Sequence, residues 1–216
     1  MQATVYLNQE NLSGTRQVSP ETVVSGQTAQ EAQLIEQARQ GDEVAWAKLV
    51  ARHQDAVFRL AFLLLGNPDD AQDVAQDALI RAFYALDSFD TTRSLRPWLL
   101  RITSNLVSNK RRSIARYLTA VGRWFQKEAV IAEPDFQDSQ VQQWEAQTVW
   151  QAVQRLSQPD QEIIYLRFFL ELSVAETADA AGIAPGTVKS RLHRALRRLR
   201  QVIAQHFPDL QAERMR

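Results

Sequence analysis

There is no cysteine among the 216 residues, which excludes disulfide scaffolds, thiol catalysis and every thiolate zinc site. Glycine and proline are scarce, at seven each, so collagen-like and low-complexity readings fall away. No apolar run approaches the ~20 residues of a membrane span. The first residues, with Gln2, Asn8 and Glu10, lack the basic-then-apolar order of a secretion signal. These absences together lead us to expect a soluble, cytoplasmic protein without membrane insertion. Period-two alternation is also missing over any useful length, which removes strand ladders and leaves an all-α fold. Net charge is absent as well: 25 basic residues balance 25 acidic ones, a balance that by itself argues against a nucleic-acid binder.

The distribution of charge reverses that reading. Between Asp90 and Glu128 there is no acid, while Arg93, Arg96, Arg101, Lys110, Arg111, Arg112, Arg116, Arg123 and Lys127 supply nine basic groups. Between Asp179 and Asp209 there is again no acid, and Lys189, Arg191, Arg194, Arg197, Arg198 and Arg200 supply six. The chain is therefore two basic surfaces on an acidic body. Such surfaces concentrate positive potential where phosphates could dock and release counterions.

Residues 1–30 are rich in Gln, Ser, Thr and Asn without lasting periodicity and read as a flexible tail. From Gln33 to Leu65 apolar residues recur at three- and four-residue spacing, broken at Gly41-Asp42, which predicts two helices with a capped junction. Gly66-Asn67-Pro68 ends the second helix. Asp69 or Asp70 starts a third with Val74, Ala78, Leu79, Ala82 and Phe83 as its buried stripe, and Pro97 opens a fourth through Trp98, Leu99, Ile102 and Leu106. Periodicity is then lost to about Gln140, so 31–116 and 141–207 read as two small helical domains, with 117–140 as linker and 208–216 as a C-terminal tail.

The second domain carries the sharper motif. Ser173-Val174-Ala175-Glu176 has the form of a capping box, Ala181-Gly182 a helix stop, and Pro185 the start of a further helix. That last helix places Val188, Leu192, Ala195, Leu196 and Leu199 on one side and basic residues elsewhere. A short capped helix, a turn and a basic second helix make a helix-turn-helix.

From Leu156-Ser157-Gln158-Pro159 through Leu199 the sequence resembles region 4 of extracytoplasmic-function (ECF) sigma factors, alternative sigma subunits of bacterial RNA polymerase. Gln40-Gly41-Asp42, Asp69-Asp70-Ala71-Gln72-Asp73 and Arg96-Pro97-Trp98-Leu99 resemble region 2 of the same family, in the family's order. Three positions depart from its pattern: Glu171 where a Gly turn is usual, Thr177 where an apolar residue is usual, and Ala184 where a Ser-type cap is common.

The resemblance implies a promoter-specificity subunit. Its partners would be the polymerase core, through the clamp coiled coil of the largest subunit and the flap of the second-largest, promoter DNA, and an anti-sigma factor where one exists. Asp70, Asp73, Gln76 and Asp77 would dock on the core. Ser88 and Phe89, with Trp98, would hold a base flipped from the minus-ten element, because an unstacked base needs edge hydrogen bonds and a stacking surface. A core position beside the Pro-opened helix would serve Trp98 equally well. Arg101, Asn105, Asn109 and Arg112 would form a strip along the duplex. In the second domain Thr187, Lys189, Ser190, His193 and Arg194 would face the minus-thirty-five element, while Arg191, Arg197 and Arg198 would grip backbone phosphates.

A helix-turn-helix regulator acting without polymerase is the alternative, and it would need a dimerisation element that no heptad run supplies. An enzyme would need a triad, a nucleotide loop or paired metal ligands, and none is present. His53 and His206 are the only other histidines besides His193 and no carboxylate is spaced to join them, so neither metal nor cofactor is called for.

Overall fold

Asp42 accepts hydrogen bonds from the amides of Val44 (2.8 Å) and Ala45 (3.1 Å), and so opens a helix at the residue where the sequence pattern breaks. Such local rules set most boundaries in the computed structural model, which describes residues 20–121 and 148–207, with side chains described over 29–116 and 148–207. The first domain comprises α1 (Pro20–Arg39), α2 (Glu43–Leu65), α3 (Pro68–Ala85), a 3-10 turn (Leu86–Ser88) and α4 (Leu95–Val121). The second comprises α5 (148–154), α6 (Gln158–Ile164), a π-helical turn (Tyr165–Phe169), α7 (Val174–Ala181) and α8 (Pro185–His206). No strand occurs among the described residues.

Gly66 ends α2 with φ +73° and returns its amide to Phe62 O at 2.8 Å, and Asn67 caps α3 through the Asp70 amide at 2.9 Å. Helix α2 is the spine of the first domain, packed by α1, α3 and α4. Leu49, Val57, Leu60 and Leu64 meet Ala71, Ala78, Leu100 and Val107 in its core, where small Ala side chains let α3 approach closely. His53 is buried on α2, its Nε2 2.9 Å from Glu31 Oε1, which ties α1 to the spine.

Ser173 Oγ accepts from the Glu176 amide (3.2 Å) while the Ser173 amide donates to Glu176 Oε2 (2.8 Å), so the capping box of α7 is complete. Gly182 follows with φ +67°, the left-handed stop that the turn of a helix-turn-helix requires. The three departures from the family pattern each leave a mark. Glu171 is held at φ +56°, a left-handed conformation that strains any residue with a Cβ; Thr177 is fully buried with its hydroxyl turned back to Ser173 O at 2.7 Å; and Ala184 caps α8 with no side-chain hydrogen bond.

The structure departs from the expected elements in four places. Helix α1 reaches back to Pro20, into the stretch read as tail, a start that suits proline because its missing amide is one a helix leaves unpaired anyway. Helix α4 begins at Leu95 and continues to Val121, into the stretch read as linker. The run Ile163–Leu170 is not one plain helix, because the Leu170 amide bonds Tyr165 O (2.9 Å), five residues back, and widens the turn. Phe83, expected in the buried stripe of α3, is 42% exposed, drawn between Trp46 and Tyr84 at ring distances of 5.3 and 5.7 Å. The linker residues Trp124 and Phe125, the first nineteen residues and 208–216 lie outside the described residues.

Candidate nucleic-acid and polymerase interface

Four surfaces hold the expected residues. On α3, Asp73, Gln76 and Asp77 are exposed on one side while Val74, Ala75 and Ala78 are buried on the other. Asp70 is less free: Lys110 Nζ of α4 lies 2.6 Å from its carboxylate and 3.7 Å from that of Asp73. The face continues one and two turns on, through Ile80 (47% exposed) and Tyr84 (81% exposed), which the sequence reading did not select. Its signal was available, since 73, 77, 80 and 84 share one helical side. The helix thus offers carboxylates at one end and apolar surface at the other.

The second surface is the loop after the 3-10 turn. Arg39 of α1 donates from Nε and Nη2 to Leu86 O (3.1 Å each) and also to Phe89 O, so one guanidinium gathers the carbonyls of the turn and sets where the loop begins. Asp90 accepts from the amide (3.0 Å) and hydroxyl (2.7 Å) of Thr92, bonds that hold its carboxyl below the usual carboxylate range. The loop closes around a cavity of about 250 Å³ lined by Ser88, Phe89, Arg93, Ser94, Pro97, Trp98 and Arg101. Ser88 is exposed and donates to Ala85 O at 2.7 Å. Phe89 is 6% exposed and belongs to the core, its ring 4.9 Å from that of half-buried Trp98; the open stacking surface is therefore Trp98, with Phe89 behind it.

The third surface runs along α4, where Arg101, Asn105, Asn109 and Arg112 are all exposed. Of the neighbouring basic run, Lys110 is turned to α3, and Arg111 is turned inward, where burial draws its guanidinium below the usual value, opposed by the nearby Tyr165 hydroxyl.

The fourth is α8. Val188 and Ala195 are buried, so the opposite side carries Lys189, Ser190, His193 and Arg194 in the N-terminal half of the helix and Arg197 just beyond it, all exposed. Thr187 is partly buried. Arg191 and Arg198, expected to grip phosphates, flank this face on the α6 side, Arg191 partly buried and Arg198 half exposed. Arg198 Nη1 lies 2.5 Å from Asp160, whose side chain is 4% exposed, and Arg191 adds its charge near Glu162, where burial pushes the carboxyl up.

A helix-turn-helix with an acid-free outward face, preceded by a four-helix domain with an exposed acidic helix face and a loop pocket, defines a two-domain transcription-initiation subunit. The Sigma-70 region 2 family matches residues 49–117 and the Sigma-70 region 4 family residues 146–199. The ECF RNA polymerase sigma factor SigW of Bacillus subtilis is 33% identical over 174 residues, 77% of this chain and 93% of SigW. SigL of Mycobacterium tuberculosis is 33% identical over 178 residues, 82% of this chain and 93% of SigL. Among solved structures, the sigma factor RpoE of Bartonella quintana, in complex with the anti-sigma factor NepR, matches with TM-score 0.62 and 28% identity over 73% of this chain and 96% of RpoE. CnrH, in complex with the cytosolic domain of CnrY, matches with TM-score 0.60 and 26% identity over 82% and 98%.

The chain belongs to the ECF sigma factors: it binds RNA polymerase core and directs promoter-specific initiation of transcription. Sigma factors are in general non-enzymatic initiation factors. No helix among the described residues is long and apolar enough to cross a membrane.

Proposed function

We propose that each surface has one task in initiation. The outward face of α3, with Asp73, Gln76 and Asp77 flanked by Ile80 and Tyr84, docks on the clamp coiled coil of the largest polymerase subunit. The loop pocket takes a base of the minus-ten element, stacked on Trp98 with Ser88 at its edge, and Arg101, Asn105, Asn109 and Arg112 follow the strand and duplex beyond it. The outward face of α8 enters the major groove at the minus-thirty-five element, Lys189, Ser190, His193 and Arg194 towards bases and Arg197 towards phosphate. Residues 31–116 and 141–207 act as the two reading units, and the second also meets the flap of the second-largest subunit.

The protein acts in the cytoplasm, carries no catalysis of its own, and is open to an anti-sigma inhibitor of the kind that RpoE of Bartonella quintana binds. The observation that carries the reading is the α8 face, where exposed basic and polar residues stand on the outward side of a helix packed through Val188 and Ala195 and no acid interrupts them. Run-off transcription on sheared genomic DNA, with purified bacterial core polymerase, tests it. Start sites sharing two spaced upstream elements should appear only when this protein is added. A regulator acting without core would give none.

A further inference from the structure

Both side chains assigned to the flipped base depend on backbone that a single arginine holds. Arg39 of α1 is largely enclosed, at 20% side-chain exposure, and all three nitrogens of its guanidinium are engaged: Nε and Nη2 donate to Leu86 O, Nη2 also to Phe89 O, and Nη1 to Glu36 Oε2 at 3.4 Å. The two carbonyls bracket Ser88, so holding them fixes the backbone from which its side chain meets the cavity. Phe89 carries the constraint further. Its carbonyl is held by Arg39 while its buried ring lies 4.9 Å from that of Trp98, so the surface on which a base would stack rests on a residue the guanidinium fixes. The far end of the loop meets the same helix, because the Glu31 carboxylate, about 12 Å back along α1, takes a hydrogen bond from the amide of Leu95 at the start of α4. Helix α1 thus holds the loop at both ends, yet none of its described residues lines the cavity.

We propose that Arg39 is a positioning residue for base selection: by fixing Leu86 O and Phe89 O with one rigid fork it sets the Ser88 hydroxyl against the Trp98 ring, and so sets how sharply the minus-ten pocket tells one base from another. The proposal rests on the reading of that pocket as the single-strand site. Stacking alone tolerates every base, since each has a π-face, whereas hydrogen bonds to a base edge demand close distance and angle. Discrimination should therefore suffer more than affinity when the fork is lost. A lysine cannot replace it. Its ammonium is a point charge on a flexible stem, without the planar array of donors that holds two carbonyls at a fixed separation.

Holoenzyme assembled from the full chain and purified core polymerase supplies the test, with fluorescent single-stranded 12-mers that span a minus-ten element from the run-off start sites and carry each base in turn at every position. The position at which Ser88→Ala or Trp98→Ala weakens the base preference marks the pocket. There Arg39→Ala should cut the preference about tenfold, the worth of one edge hydrogen bond, while preferences at the other positions stay within about twofold. Arg39→Lys should cut it nearly as far. A ratio of affinities does not depend on how much of a preparation is folded, so a variant that is merely destabilised would keep the parental preference, and that outcome would overturn the proposal. Full preference with Arg39→Lys would overturn it too, by showing that charge suffices without the fork. If neither Ser88→Ala nor Trp98→Ala alters the preference at any position, the pocket reading goes and the role of Arg39 with it. A preference lost with those variants and kept with Arg39→Ala removes the role of Arg39 and leaves the pocket.

Discussion

Arg198 of α8 holds the buried carboxylate of Asp160 on α6 at 2.5 Å, and this pair fastens the recognition helix to the domain behind it. Asp160 lies in the first turn of α6, where a carboxylate also suits the helix dipole, so a single acid serves the helix start and the helix packing.

Loss of Arg198 should therefore show as instability rather than as lost DNA grip. Arg198→Ala leaves a buried carboxylate without its cation and should cost about 1–3 kcal/mol in chemical denaturation. Arg197→Ala, on the open side, should leave stability within about 0.5 kcal/mol and lower the salt slope of promoter binding by about one. Equal stability of the two variants would show that Asp160 finds another partner.

Glu171 and Ala184 mark two sites where the domain can be strengthened. Glu171→Gly relieves the strain of φ +56° and should raise stability by about 1 kcal/mol. Ala184→Ser gives α8 the side-chain acceptor it lacks, worth about 1 kcal/mol more. Thermal unfolding of the single and double variants checks both, and the effects should add because neither site shares a partner with the other.

On α3, charge reversal at Asp73 and Asp77 should lower affinity for core polymerase with the helical circular-dichroism signal unchanged, since both side chains are exposed. Tyr84→Ala should do the same without any charge change. A pull-down titration with core separates the two contributions, and unchanged affinity for all variants would remove this face from the docking surface.

Acid should loosen α1 from α2. Burial works to raise the Glu31 carboxyl, but the hydrogen bond and charge of His53, with Arg52 beyond, hold it below the usual carboxylate value. A lowered folded value means that its stabilisation is full above the unfolded pKa and is lost as pH falls through the folded one. Glu31→Gln should thus be less stable than the parent by about 1–2 kcal/mol at pH 7, with the gap closing below about pH 4. Urea midpoints across that range give the answer.

The sequence carried the caps and the apolar spacing, so the helices, the capping box at Ser173 and the stop at Gly182 were legible before any coordinates. These are interactions within a few residues. The Arg39 clamp on Leu86 and Phe89 was not legible, because it joins residues 47 and 50 positions apart and nothing local distinguishes that arginine from a solvated one. The ion pair of Arg198 was not legible for a related reason: its helical position lies on the border between the packed and open faces, and only the location of Asp160 gives it a partner. Phe89 read as a stacking surface because the loop is polar around it, while its burial depends on Trp98 and on the end of α1.

Helix α8 has 22 residues, and its fastening at Arg198 lies 11 residues from Thr187 at the groove end. At 1.5 Å per residue that is a lever of about 16 Å. A tilt of about 10° at the pivot would swing the tip by about 3 Å, close to the ~3.4 Å step between neighbouring base pairs. The reading register of the helix is thus an angular quantity, set jointly by the Arg198–Asp160 pair and by the buried Val188 and Ala195 that seat the helix on the domain behind it.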